Sequence, residues 1–272
     1  MILSSASPVV SGGLPLFVAL LAIAGYAVAA LPLAKSGRIW IAALHVGWLA
    51  HLAALVLDIG GIGQEVPGAR VGFGPVLSLT VWLVMAVHTV ENRFMPLPAV
   101  RRWLAVCGAV VVVLAALFPG EPHQYHSPLA PLHFALGVGS YSLFGAAVVH
   151  AMMLDASERR LRERAGIHQP RAGMPLLLLE RLTFRFVEAG FSVLTATIAL
   201  GALTSVGWRW DHKVVFSLLG WAVFAALLVG RHRQGWRGRQ ATRWVYVGAV
   251  LLLLAYAGSR FVFEVLLGRP PA

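Results

Sequence analysis

Charge is scarce in this chain, cysteine is nearly absent, and acids are outnumbered two to one by bases. Only 12% of the 272 residues are charged, while 58% are hydrophobic. A soluble domain carries about 25% charged residues, so this scarcity excludes an ordinary water-soluble globule. The single cysteine, Cys107, excludes an intramolecular disulfide and a Cys-x-x-Cys redox site. Set in "LAVCGAVVVVLAAL", it reads as a small packing residue. The opening stretch "MILSSASPVVSGGLPLF" has no basic n-region and so does not read as a cleaved signal peptide. No internal repeat or low-complexity segment stands out.

What the chain does have is a series of apolar runs of about 20 residues, the length a helix needs to cross a bilayer. They predict eight helices, near 14–34, 39–59, 73–92, 102–119, 129–154, 183–206, 213–231 and 243–267. Helices satisfy their own backbone hydrogen bonds in lipid, which argues against strands for these runs. The fold class is therefore all-α: a polytopic integral membrane bundle of about eight transmembrane helices. It forms a single transmembrane domain over 1–272, with an arginine-rich cytoplasmic loop at 155–182.

The net charge of +11 follows from topology and needs no nucleic-acid partner. The loops after the first, third, fifth and seventh helices hold 17 of the lysines and arginines, against 5 on the other side. By the positive-inside rule both termini face outward, as expected of a multi-pass protein of the bacterial inner membrane. The long loop "DASERRLRERAGIHQPRAGMPLLLLERLTFRF" is a topology determinant whose arginines lie within reach of anionic headgroups. Glu188, in "TFRFVEAGFSV", is expected to pair with Arg185 three residues before it.

Ionisable groups inside a membrane are costly and become functional candidates until a partner explains them. Of the ten histidines, His51 falls near the middle of the second helix. His45, His88 and His150 fall near cytoplasmic helix ends and are expected to be packing or interfacial residues. His133 opens the fifth helix and His212 the seventh, both near the outer face, with His123 and His126 in the loop between. The segment "TSVGWRWDHKVVFSLLGW" places Trp208, Arg209, Trp210, Asp211, His212 and Lys213 directly before an apolar run. Two imidazoles on separate helices can ligate a haem iron axially. Tryptophan faces can lie on the macrocycle, and Arg209 and Lys213 are placed to pair with its propionates. An interfacial aromatic belt with solvated charges accounts for the same residues.

"GWRWDHK" followed by "VVFSLLGWAVFAALLVGR" resembles the tryptophan-rich segment of the cytochrome c assembly, haem-handling membrane proteins. Trp208, Trp210 and Asp211 match the end of that pattern, whose Trp-Gly start is reduced here to Gly207-Trp208. "PLHFALGVGSYSLFGAA" resembles the family's histidine-led helix, placing His133, Ser140 and Tyr141. The spacing of these blocks and "GWRGRQATRWVYVGAVLLLLAYAGSRFV" are similar to the HemX-like branch. His51 best matches the family's intramembrane histidine. A second outer histidine expected beside the final span is missing from "AYAGSRFVFEVLLGR", and His212 is the candidate replacement.

The resemblance implies a haem-binding membrane protein that assists cytochrome c assembly or haem trafficking at the outer face. Haem b is the implied cofactor. His133, His212 and His51 are the implied iron ligands, and Trp208, Arg209, Trp210 and Asp211 lie against its edge. Haem, membrane lipid and other cytochrome c maturation proteins are the implied partners. Ligation and release involve no bond-making chemistry, so the protein is not expected to be an enzyme. Two readings stand beside this one: a haem-b electron-transfer subunit acting on quinone, and a haem-free transporter or assembly scaffold. The scattered acids and the absence of twin inverted halves weigh against a transporter.

Overall fold

The structure is a computed structural model, and it describes residues 13–31, 37–62, 69–92, 98–120, 122–123, 128–163, 175–204 and 210–262. Eight helices are long and apolar enough to span a membrane. They are α1 (Gly13–Ala30), α2 (Gly37–Ile59), α3 (Phe73–Asn92), α4 (Pro98–Leu117), α5 (Ala130–Glu163), α6 (Leu176–Thr204), α7 (His212–Gln234) and α8 (Gly238–Leu253). The last continues through a π-helical turn, Leu254–Gly258, into Ser259–Phe261. Two short strands, β1 (Ala69–Arg70) and β2 (Pro122–His123), pair antiparallel with Ala69 opposite His123.

The expected spans match in number, and the largest boundary differences flank one loop. Residues 155–163 continue α5, and 176–182 already belong to α6, so helix takes much of the expected 155–182 loop. The 34 residues of α5 make a rod of about 50 Å, well beyond a hydrocarbon core of about 30 Å. Its charged end "SERRLRE" therefore continues the helix outside lipid, where hydropathy gives no signal. The chain falls into two compact units by its contacts.

The first unit holds α1, α2, α4, the strand pair and Phe73–Met85 of α3. Gly25 on α1 and Gly47 on α2 let the two backbones touch: a β-carbon on Gly25 would stand 2.6 Å from the Gly47 amide nitrogen. Such close approach over small residues is how membrane helices gain packing without a hydrophobic driving force. Trp48 and Trp82 stack in parallel with centroids 4.6 Å apart. Each indole N–H donates to the other residue's carbonyl, at 3.3 and 2.9 Å, which clasps α2 to α3.

The second unit holds α5 to α8 and the end of α3. Its core centres on Phe144 and Phe224, stacked at 3.9 Å with Gly190 and Gly248 against their rings. Asp155 fastens α8 to α5 by accepting from the hydroxyls of Thr242 and Tyr246, both at 2.9 Å. Glu180, near the start of α6, accepts from Arg231 at 3.0 Å and from Arg237 at 2.9 and 3.3 Å. These clamps hold the arginine-rich end of the unit; the opposite end carries the outer-face candidates.

Candidate functional site

His133 lies in the first turn of α5, facing the last turns of α6. Gly201 makes room for its ring: a β-carbon there would stand 2.9 Å from Cε1. The buried Nδ1 of His133 has no partner within strict hydrogen-bond geometry among the described residues, although the Thr197 backbone lies close enough to the imidazole to interact with it. An imidazole nitrogen in this condition is rare, since buried polar atoms are ordinarily satisfied.

Lys213, one residue into α7, lies within electrostatic reach of His133, Asp211 and Arg260. Its ammonium sits 5.8 Å from the centre of the Tyr256 ring, and the Arg260 guanidinium 5.5 Å from the same ring. Both distances fall in the cation–π range. Tyr256 belongs to the π-turn and lies 6.4 Å, centre to centre, from Tyr141 on α5, which hydrogen-bonds to Ser217 on α7. A π-turn inserts one residue into the helical repeat and recurs at functional sites. Two cations, two tyrosines and an incompletely bonded imidazole thus gather from α5, α7 and the end of α8.

Asp211 has a defined local task. It is the N-cap of α7, and its Oδ1 accepts from the Val214 amide at 2.8 Å. Aspartate is a preferred N-cap because it satisfies one of the helix's orphan N–H groups. Trp210 beside it is 72% exposed, and His212, the first residue of α7, is exposed as well. No hydrogen bond or ring contact joins His212 to His133 among the described residues. Trp208 and Arg209 lie outside the described residues.

His51 is placed quite differently. It is 1% exposed, and both ring nitrogens are engaged: Nδ1 with the Tyr26 hydroxyl at 2.9 Å, Nε2 with the Ser78 hydroxyl at 2.7 Å. Tyr26 also meets the ring edge-on at 5.8 Å. A ligand to iron needs a free nitrogen lone pair and open space before it. His51 offers neither in this conformation, so no haem-handling step is assigned to it.

The remaining histidines divide similarly. His45 Nδ1 donates to the Ile41 carbonyl at 2.7 Å, and His150 Nδ1 to Ala146 at 2.8 Å. The Nε2 of His150 faces Glu91 at 3.1 Å, with an angle outside hydrogen-bond geometry. No group of three or more His, Cys, Asp or Glu able to hold a bare metal ion occurs among the described residues.

The outer group fits a tetrapyrrole dicarboxylate in kind: one imidazole, aromatic faces, and two cations for carboxylates. The sequence alone does not set Arg260 and Tyr256 apart; their one signal is the i, i+4 spacing in "YAGSR".

Comparison with known proteins agrees with this architecture. Residues 73–267 match the cytochrome c assembly protein family. The inner membrane protein YpjD of Escherichia coli K12 is 30% identical, covering 93% of this chain and the whole of that protein. A 28.8 kDa protein of Azospirillum brasilense is 35% identical over 86% of this chain and 88% of its own length. The cytochrome c biogenesis protein CcsA of Parasynechococcus marenigrum is 26% identical over 67% of this chain and 71% of its own. No solved structure matches.

Proposed function

The chain belongs to the cytochrome c assembly protein family and is a multi-pass inner-membrane protein, and from that premise we propose that it binds haem and presents it for cytochrome c biogenesis. His133 supplies the imidazole, Lys213 and Arg260 hold the carboxylates, and Tyr256 and Tyr141 border the ring. Trp210, exposed beside the N-cap of α7, offers a further aromatic face. Haem is a cargo, held and released without covalent chemistry, so the protein is a carrier and not an enzyme.

The observation that carries this reading is the buried, unpartnered His133 Nδ1 next to the Lys213–Arg260 pair. His51, by contrast, has both ring nitrogens engaged. A second axial ligand is a separate matter, and His212 remains the candidate. The quinone-linked reading requires two depth-matched axial pairs, one from the inner and one from the outer histidines.

The test is an absorbance spectrum of the purified protein after haem loading, with His133→Ala, Lys213→Gln and His51→Ala alongside. The proposal expects a Soret band that His133→Ala abolishes, Lys213→Gln weakens and His51→Ala leaves in position. A wild-type protein without the band, or a His133→Ala variant that keeps it unchanged, overturns the assignment.

A further inference from the structure

At the other end of the second unit lies a cleft of about 180 Å³. It is walled on α6 by Arg181, Phe184, Arg185 and Glu188, and faced by Arg231 from the end of α7 and Arg237 before α8. We propose that this cleft is a phosphate-binding site for the headgroup of an anionic phospholipid.

Charge comes first. Four arginines meet two carboxylates, and one of those, Glu180, is consumed by Arg231 and Arg237. The Arg185–Glu188 pair expected from their spacing is not formed, and neither Arg181 nor Arg185 has an ion pair or side-chain hydrogen bond among the described residues. Glu188 therefore leaves the cleft with a net surplus of positive charge, and two guanidiniums keep their full donor sets. Arginine's planar fork suits phosphate oxygens.

Preorganisation comes second. The Arg231 guanidinium lies 3.6 Å above the Phe184 ring while its edge is fixed by Glu180 at 3.0 Å. Stacking and edge bonding together hold one wall rigid before anything binds.

Size and position select the ligand. A volume of 180 Å³ holds about six waters at roughly 30 Å³ each, enough for a headgroup phosphate but below the roughly 300 Å³ where sites for larger organic molecules begin. Leu177, at the lip of the cleft, is 74% exposed, and the apolar flank of α6 runs on from it. That places the cleft at the boundary between acyl chains and headgroups, where basic pockets between spans take anionic lipids.

Free phosphate shares this chemistry, so the experiment separates the two. Purified full-length protein is titrated with phosphatidylglycerol, phosphatidylcholine or inorganic phosphate, reading lipid adducts by native mass spectrometry and the thermal midpoint. The Arg181→Gln, Arg185→Gln double variant runs in parallel; it leaves the Glu180 clamp intact, so its lipid-free midpoint should match the wild type. The expected result is selective retention of phosphatidylglycerol and a midpoint that it raises, with binding about tenfold weaker in the double variant. Equal retention of phosphatidylcholine, or undiminished phosphatidylglycerol binding by the variant, overturns the site. Inorganic phosphate matching phosphatidylglycerol in stabilisation and displacing it overturns the lipid assignment in favour of a soluble ligand.

Discussion

The backbone of Gly201 lies so close to the His133 imidazole that a β-carbon there would stand 2.9 Å from Cε1. The last turns of α6 therefore set the direction of an imidazole whose buried Nδ1 has no hydrogen-bond partner among the described residues.

Gly201→Val should push the His133 ring aside while leaving the residue itself unchanged. Haem binding is expected to weaken about tenfold or more, since misdirecting a single ligand easily costs about 1.4 kcal/mol. A haem titration followed at the Soret band checks this. Binding equal to wild type would mean that ring direction is immaterial, and with it the role assigned to His133.

His51→Ala leaves the Tyr26 and Ser78 hydroxyls buried without their partner. Interhelical hydrogen bonds in membranes average about 0.6 kcal/mol, rarely above about 1.7. The two together, with the cavity, should cost roughly 2–4 kcal/mol, seen as a lowered thermal midpoint in detergent. The haem spectrum of the surviving folded protein should not move.

Asp155→Ala removes the acceptor that ties Thr242 and Tyr246 to α5. Bonds to a charged group contribute about 1.5–3 kcal/mol each, so stability should fall by a few kcal/mol. Asp155→Asn, which keeps one acceptor oxygen, should lose distinctly less. Comparing the two midpoints separates the lost acceptor from the lost charge.

Gly248→Ala brings a methyl group to 2.6 Å from the Phe224 ring. The stacked Phe144–Phe224 pair cannot yield without disturbing its neighbours. Overpacking of this kind costs about 1–3 kcal/mol and should show as reduced yield and a lower midpoint. Gly137→Ala, whose β-carbon would sit at an ordinary 3.8 Å from Thr197 Cγ2, is the matched control and should be tolerated.

Much of this fold was legible because hydropathy over a span-length window reports how long a helix stays in lipid. It failed at "SERRLRE" and at 176–182, where helix continues beyond the apolar segment. His133 was legible by its position at the head of a span and by resemblance. Asp211 was legible as part of a motif, yet its structural task, capping α7, follows from a simpler rule about aspartate before a helix. The sealing of His51 was not legible, since Tyr26 and Ser78 lie 25 and 27 residues away on other helices. Nor was the Lys213–Tyr256–Arg260 group, which only the packing of α7 against the π-turn assembles.

That π-turn, Leu254–Gly258, also makes the final span adjustable by a single residue. Deleting one residue within it lets the helix relax to a regular α-helical repeat at little cost to its length. Because the turn absorbs its extra residue, the helix beyond it keeps its facing after such a deletion, whereas a deletion in the regular helix before it turns everything beyond by about 100°. The turn thus buffers the last span against a one-residue change in length, a tolerance that no substitution scan would sample.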